Sequence, residues 1–420
     1  MRDSSVVGHY TPYGFLRNAG SGTNSHPKIT SNFGQGDPDG ENNFTDSNER
    51  GGFRFEPPKD FLSLCTANMS DKDYARIGPL GAAGNPDQHF DTALWIGNAS
   101  SSLRIGGLNF QPDLCITSSR SLGDENDTYD SVRGAGNRMH TDGNESENVR
   151  SGVISFNPDG FTVGDHSGVN TNAATYVAWC WKAGNGTVES SDGTIASSVS
   201  VNKDAGFSII SYIGTGSNAD TVGHGLDKTP DFMILKRRDG SHSWITWHKD
   251  LPNTADGEGR TIALDTEVAE TDNDSWFYPY IPRAKWFNPG DGGSSNGSGA
   301  KFISYAWHSV EGFSKFGGYE GNANADGSFI YLGFRPALVV CKNLDAAGNW
   351  EMYTSNIDIY NPATKSVFAD ATTAEYSSGR EVDLLSNGFK QRNTNSNTNS
   401  AHTFIYMAWA EMPFKYAIGR

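Results

Sequence analysis

Three stretches decide the fold: Tyr176-Val-Ala-Trp-Cys-Trp181, Phe302-Ile-Ser-Tyr-Ala-Trp307 and Phe404-Ile-Tyr-Met-Ala-Trp409. Alternation puts Val177, Trp179 and Trp181 on one face, and Ile303, Tyr305 and Trp307, or Ile405, Met407 and Trp409, in the same places. The opposite face narrows at its C-terminal end to Ala178 and Cys180, to Ala306 and to Ala408. A strand with two apolar faces has protein on both sides, so each of these reads as a central strand. A bulky face over a narrow one fits a sandwich with unequal packing layers.

Outward from these strands, other anchors keep register. An aromatic-x-Gly-[Asn/Thr] turn occurs at Trp95-Ile-Gly-Asn98, Tyr212-Ile-Gly-Thr215 and Tyr319-Glu-Gly-Asn322. Pro112, Pro230 and Pro336 follow its aromatic by 17, 18 and 17 residues. Each opens an apolar run, and a proline without an N–H suits the first residue of a strand. Tyr129, Trp247 and Tyr353 each lie 17 residues further on. Four anchors in near-register three times define an internal repeat. The predicted organisation is all-β: three tandem β-sandwich-like repeats of about 100 residues at 89–182, 206–310 and 311–420, each with a small core of its own. Residues 183–205, rich in Gly, Ser and Asn, read as an exposed linker, and residues 1–88 as an irregular N-terminal arm or partial β region. Asn170-Thr-Asn172, Asn296-Gly-Ser-Gly299 and the segment 393–400 read as hairpin loops before the closing strands.

Composition agrees. Gly contributes 49 of 420 residues and charged residues only 20%, a turn-rich make-up that argues against helical bundles and doubly wound α/β enzymes. Aromatics at 12% exclude a disordered chain. A mean hydropathy of −0.54 and the lack of an 18-residue apolar run argue against membrane insertion. The net charge of −16 opposes a phosphate backbone, so nucleic acid is not an expected partner. The N-terminus has no apolar signal-like run. Cys65, Cys115, Cys180 and Cys341 show no Cys-x-x-Cys spacing, and the last three sit in apolar runs as small buried hydrophobes.

Signals for catalysis are sparse. The chain has no G-x-S-x-G, P-loop, G-x-G-x-x-G or H-E-x-x-H. His242 and His248 flank a Trp-rich strand but read as exposed strand and turn residues. The acidic stretches 37–41, 124–127 and 272–274 have two readings, oxygen ligands for calcium or solvated turns; none has the spacing and Gly placement of a full calcium loop, which favours solvated turns. No catalytic, cofactor-binding or metal-binding residues are therefore assigned, no cofactor is expected, and the chain reads as a non-enzyme. Tyr129, Trp247 and Tyr353 have two readings, core residues of a second strand or exposed sugar platforms. Trp244 and Trp350 share a position where the first repeat has Asn126, so folding does not demand an aromatic there. That makes Trp244 and Trp350 candidate surface-contact residues. So are Trp276, Tyr278 and Tyr280, in the largest insertion; the competing readings of that loop are packing on its own domain or on a neighbouring subunit.

Several longer motifs bear a family likeness. They include Gly107-Leu-Asn-Phe-Gln-Pro-Asp113, Ser155-Phe-Asn-Pro-Asp-Gly-Phe161, Thr175-Tyr-Val-Ala-Trp-Cys-Trp-Lys-Ala-Gly184, Val310-Glu-Gly-Phe-Ser-Lys-Phe-Gly317, Gly333-Phe-Arg-Pro336 and Ala410-Glu-Met-Pro-Phe-Lys-Tyr-Ala417. Over about residues 50–420 the chain resembles repeat domains of virion structural proteins from marine tailed bacteriophages. In longer relatives of that family a lectin-like β-sandwich precedes the repeats, and residues 28–66 resemble its tail. The resemblance implies a component of the phage particle surface, a tail fibre, spike or other appendage contributing to host attachment. It implies other virion structural proteins, further copies of the chain and a host-surface glycan as partners, and supplies no catalytic residues. A head-decorating protein or head fibre, and a glycan-cleaving tailspike enzyme, are the alternatives.

Overall fold

A computed structural model describes residues 13–17, 28–32 and 44–47, single residues near 53–59, and residues 85–411 apart from 253–259, 273–274 and 278–280. The chain divides into two regions, Met1–Ile77 with Pro413–Arg420, and Gly78–Met412. In the first, strands β1 (Tyr13–Arg17) and β2 (Lys28–Asn32) pair antiparallel, and Phe44 and Phe53 exchange backbone hydrogen bonds. Most of 28–66, Cys65 included, lies outside the described residues.

The second region is built almost wholly from antiparallel strands, as the alternation predicts. Its first lobe contains β3 (Phe90–Ile96), β4 (Leu103–Gly106), β5 (Leu114–Ser119), β6 (Asp127–Asp130), β7 (Asn137–His140), β8 (Asn148–Val149), β9 (Val153–Asn157), β10 (Gly160–Val163) and β11 (Thr175–Trp181). The second contains β12 (Val188–Ser190), β13 (Ser197–Asn202), β14 (Phe207–Ile213), β15 (Val222–Gly223), β16 (Phe232–Arg237), β17 (Ile245–His248), β18 (Arg260–Ala263), β19 (Thr271–Asp272), β20 (Trp286–Phe287) and β21 (Lys301–Trp307). The third contains β22 (Ser314–Glu320), β23 (Phe329–Tyr331), β24 (Pro336–Asn343), β25 (Glu351–Thr354), β26 (Val367–Phe368), β27 (Val382–Leu385), β28 (Gly388–Gln391) and β29 (Thr403–Ala410). One strand order recurs in the large sheets: β3-β11-β5-β6-β7, β14-β21-β16-β17-β18 and β22-β29-β24-β25-β26. The closing strand is second in each, between the lobe's first strand and the proline-opened strand. A small sheet lies in each lobe: β4-β10-β9, β15-β20 and β23-β28-β27.

The two faces of the closing strands serve different cores. Tyr176, Ala178 and Cys180 face a core private to the first lobe. Phe302 and Ala306 do the same in the second lobe, and Phe404, Tyr406 and Ala408 in the third. The bulky faces, Val177-Trp179-Trp181, Ile303-Tyr305-Trp307 and Ile405-Met407-Trp409, enter one core common to all three. The lobes are therefore not the self-contained domains expected from the sequence, because one face of each large sheet packs in a core shared with its sisters. Trp181, Trp307 and Trp409 meet there, with ring centroids 5.2–6.0 Å apart and planes 64–72° from parallel. Their indole N–H groups have no oxygen or nitrogen acceptor among the described residues. Edge-to-face contact instead sets the positive rim of one ring against the π face of another. A cavity of about 50 Å³ in this core is lined by residues of all three lobes, among them Phe232, Leu264, Val340 and Met352.

The segment 183–205 departs from the expected exposed linker. It forms β12 and β13, which extend the second sheet beyond β14, with Val199 buried in that lobe's core. The alternation Ser197-Ser-Val-Ser-Val201 is a strand signal, and pairing there satisfies the backbone groups that the edge of β14 would leave open.

The aromatic-x-Gly turn has a common physical cause in the three lobes. Asn170, Asn296 and Asn399, in the polar loops before the closing strands, are buried. Their side-chain carbonyls accept from the N–H groups of Asn98, Thr215 and Asn322, the residues just after the turn glycines. The side chains of Trp95, Tyr212 and Tyr319 donate to the carbonyls of Val169, Ser295 and Thr398, each one residue before that asparagine. The two chain segments approach so closely that a Cβ on Gly97, Gly214 or Gly321 would lie 2.2, 2.5 or 2.0 Å from a backbone carbonyl oxygen. Only glycine fits such an approach.

Candidate contact surface

Trp244 and Trp350 are not on the surface. Each is about 1% exposed or less and inserts into a neighbouring lobe. Trp244 Nε1 donates to the carbonyls of His140 (2.8 Å) and Gly143 in the first lobe. Trp350 Nε1 donates to Ala263 in the second at 3.0 Å. Asn126, the residue at this position in the first lobe, completes the cycle: its Nδ2 donates to Phe368 (2.8 Å), Ala369 and Ala371 in the third. The position is thus an interlobe donor in every case, and the asparagine fills that role in the first lobe rather than marking a position that folding can spare. Beneath Trp244 and Trp350 lie Lys236 and Lys342, with Nζ 5.9 and 5.7 Å from the ring centroids. Lys236 donates to Asn144 across the first interface, and Lys342 to Thr266 across the second. Burial pushes both lysines down to about 8. The third interface uses Arg120, which pairs with Glu375 at 2.7 Å.

Tyr129, Trp247 and Tyr353 are buried in the private cores, which leaves the sugar-platform reading without support at those positions. Trp276 is half-buried and packs against the second lobe's core; Tyr278 and Tyr280 lie outside the described residues. His248 is buried rather than exposed, and burial drives its imidazole down to about 3. Asp127 is also fully buried rather than in a solvated turn: Arg138 pairs with it, and Tyr129 donates to it at 3.0 Å. The stretch 37–41 is outside the described residues, as are Asn273 and Asp274. Among the described residues no group of three or more His, Cys, Asp or Glu is placed to hold a metal ion. No helix among them is long and apolar enough to cross a membrane.

The exposed aromatics gather elsewhere. Among the described residues of Gly78–Met412, those that are strongly exposed are Phe329, Tyr331, Tyr360 and Tyr376, all in the third lobe. Phe329 (46% exposed) and Tyr331 (60%) alternate with the inward Ile330 along edge strand β23, so both point out of the small sheet. Register sets Phe329 beside Lys390 and Tyr331 beside Gly388. The Phe329 ring leans over Gly388, where a side chain is missing. Lys315 donates to the Tyr331 carbonyl at 2.7 Å and holds its ammonium 5.2 Å from that ring's centroid. Lys390 and Arg392 flank the platform and pair with Asp326, whose carboxyl is held below the usual range by its hydrogen bond from Lys390. Asn361 exchanges hydrogen bonds with Leu384, which brings Tyr360 beside β27 at the far edge of the same sheet. Two outward rings on a hydrogen-bonded strand, bordered by charged donors and acceptors, suit a ligand with apolar faces and polar edges. The one signal in the sequence was the alternation Phe329-Ile-Tyr331 after the polar stretch 321–328, which does not say which face is wet.

The three lobes fall together within a family match. Residues 85–413, spanning β3 to β29, match a domain of unknown function, DUF7483. No curated protein and no solved structure matches the chain. With most of its length inside that match, the chain belongs to the DUF7483 family.

Proposed function

We propose that this chain is a virion structural protein of a tailed bacteriophage, a tail fibre, spike or similar surface appendage that contributes to host attachment. The motif resemblance to marine phage virion proteins supports the particle assignment. The observation that carries the attachment role is the Phe329–Tyr331 platform. It is an outward aromatic pair on a sheet whose other face is fixed in a core, so the rings are presented at low entropic cost. The chemistry fits a cell-surface glycan, whose sugar C–H faces stack on rings while hydroxyls meet Lys390, Arg392 and Asp326. Two measurements test the reading. Peptides of the chain are expected in gradient-purified particles, and their absence beside well-covered structural proteins overturns the particle assignment. Purified protein is expected to block phage adsorption, and a Phe329→Ser, Tyr331→Ser variant of unchanged melting temperature to block it at least tenfold less well. Equal blocking by the variant removes the platform.

A further inference from the structure

The first lobe carries a cysteine pair that the other lobes lack. Cys115 on β5 and Cys180 on β11 are cross-strand partners. Both are wholly buried in that lobe's private core, and their Sγ atoms lie 3.6 Å apart. The corresponding pairs are Met233 with Ala306 and Val339 with Ala408. The rung type follows from the ladder. Arg120 N–H donates to the Thr175 carbonyl, which marks a hydrogen-bonded rung. Counting by twos along the register, the bonded rungs fall at 118/177, 116/179 and 114/181. Cys115 and Cys180 therefore share a non-hydrogen-bonded rung, where opposing Cα atoms stand about 4.5 Å apart and side chains are closest. That separation lies within the ~4.4–6.8 Å spanned by disulfide-linked residues.

We propose that Cys115 and Cys180 form a cross-strand disulfide site that closes when the chain meets a small-molecule disulfide oxidant. With oxidised glutathione, one cysteine thiolate attacks a glutathione sulfur, forming a mixed disulfide and releasing one glutathione. The second cysteine thiolate attacks the protein sulfur of that mixed disulfide and releases the other. The protein loses two electrons and two protons, and oxidised glutathione becomes two reduced glutathiones. Both sulfurs are buried, and burial holds the Cys180 thiol well above its ordinary value. Closure therefore occurs while the chain folds or the lobe opens, not by attack on the closed core. The bond ties a 65-residue separation that contains β6 to β10. It restricts the unfolded chain while asking little of the folded one. Cys341 is an internal control: it is buried and its β29 partner is Tyr406, not a cysteine. The proposal is independent of the attachment reading.

The test uses the full chain, refolded from denaturant in a glutathione redox buffer or in dithiothreitol. It is then unfolded, alkylated, digested without reduction and mapped by mass spectrometry. In the oxidised sample the peptides of Cys115 and Cys180 are expected to be joined, two hydrogens lighter than their reduced sum, with Cys341 alkylated. The oxidised protein should melt roughly 3–6 °C above the reduced one. That shift should vanish in Cys115→Ala and in Cys180→Ala. Oxidised, soluble wild-type protein in which both cysteines are alkylated, or in which either is joined to another cysteine, overturns the proposal without recourse to any variant.

Discussion

Trp244 Nε1 donates to the His140 carbonyl at 2.8 Å, so a side chain of the second lobe completes the first. Trp350 and Asn126 make the same kind of bond from the third lobe to the second and from the first to the third. Each lobe gives one donor and receives one. Such head-to-tail contacts close a ring when the rotation between successive units allows it. Here one chain supplies all three units, so the ring is complete without a second copy.

Trp244→Ala empties a fully buried indole from the common core and leaves the His140 carbonyl without its indole donor. It should destabilise the protein by about 3–5 kcal/mol. Trp244→Phe keeps most of the packing and loses the hydrogen bond, for about 1–2 kcal/mol. Urea unfolding of the full chain measures both. A Trp244→Ala midpoint equal to wild type would place this side chain outside the core.

The Asn brackets should be as sensitive as the core. Gly321→Ala brings a Cβ to 2.0 Å from the Ser400 carbonyl, so the turn or the following loop must shift. Asn399→Ala removes the acceptor for Asn322 N–H and the donor to Asn324 and Asn393. Each should cost roughly 2–4 kcal/mol. Amide hydrogen exchange should show the loss of protection concentrated at 321–328 and 393–402. Unchanged protection in both variants would contradict the bracket.

These brackets mark the limit of what the sequence reveals. The aromatic-x-Gly turns and the Trp-ended strands were legible because alternation and rare residues survive in linear form. The asparagines were not, because Asn170, Asn296 and Asn399 sit in Asn- and Ser-rich loops where one buried residue looks like its exposed neighbours. Alternation also shows that Trp181, Trp307 and Trp409 lie on an apolar face, but not what covers it. A second sheet of the same lobe and two sister lobes leave the same pattern. The same ambiguity hid Trp244 and Trp350, whose partners are 104 and 87 residues away in the chain. Exposure of Phe329 and Tyr331 was hidden in the opposite sense, since two aromatics flanking an isoleucine read equally well as core.

Lys342 sets an alkaline signature. Its ordinary value is 10.5, and burial lowers it to about 8 against the opposing pull of Asp370 and Glu267. Between pH 8 and 10.5 the unfolded chain keeps a proton that the folded chain has released. This group therefore makes stability rise with pH across that window, by at most about 1.4 kcal/mol per pH unit. Lys342→Met removes that contribution. The difference in unfolding free energy, wild type minus variant, should become more positive from pH 8 to 10. A difference that is flat or falls over this range contradicts a depressed lysine.

The third lobe alone, residues 311–411, should not behave as a folded domain. Its private core would survive excision, since Tyr353, Val382, Leu384 and Phe389 come from within it. Its other face would not. Ile405, Met407, Trp409, Leu338, Val340 and Trp350 pack in the core shared with the first and second lobes. Excision bares all six, together with the Trp350 indole N–H that Ala263 accepts. At about 25 cal/mol per Å², a patch of several hundred Å² returned to water costs on the order of 10 kcal/mol. That is comparable to the whole stability of a domain of this size. The fragment is expected to aggregate, or to bind a hydrophobic dye and unfold without cooperativity, while residues 85–411 expressed as one piece unfold in a single transition. Calorimetry and size-exclusion chromatography on both fragments decide it. A monomeric 311–411 fragment with a sharp calorimetric transition would mean that the shared core is dispensable and that the lobes are separable domains after all.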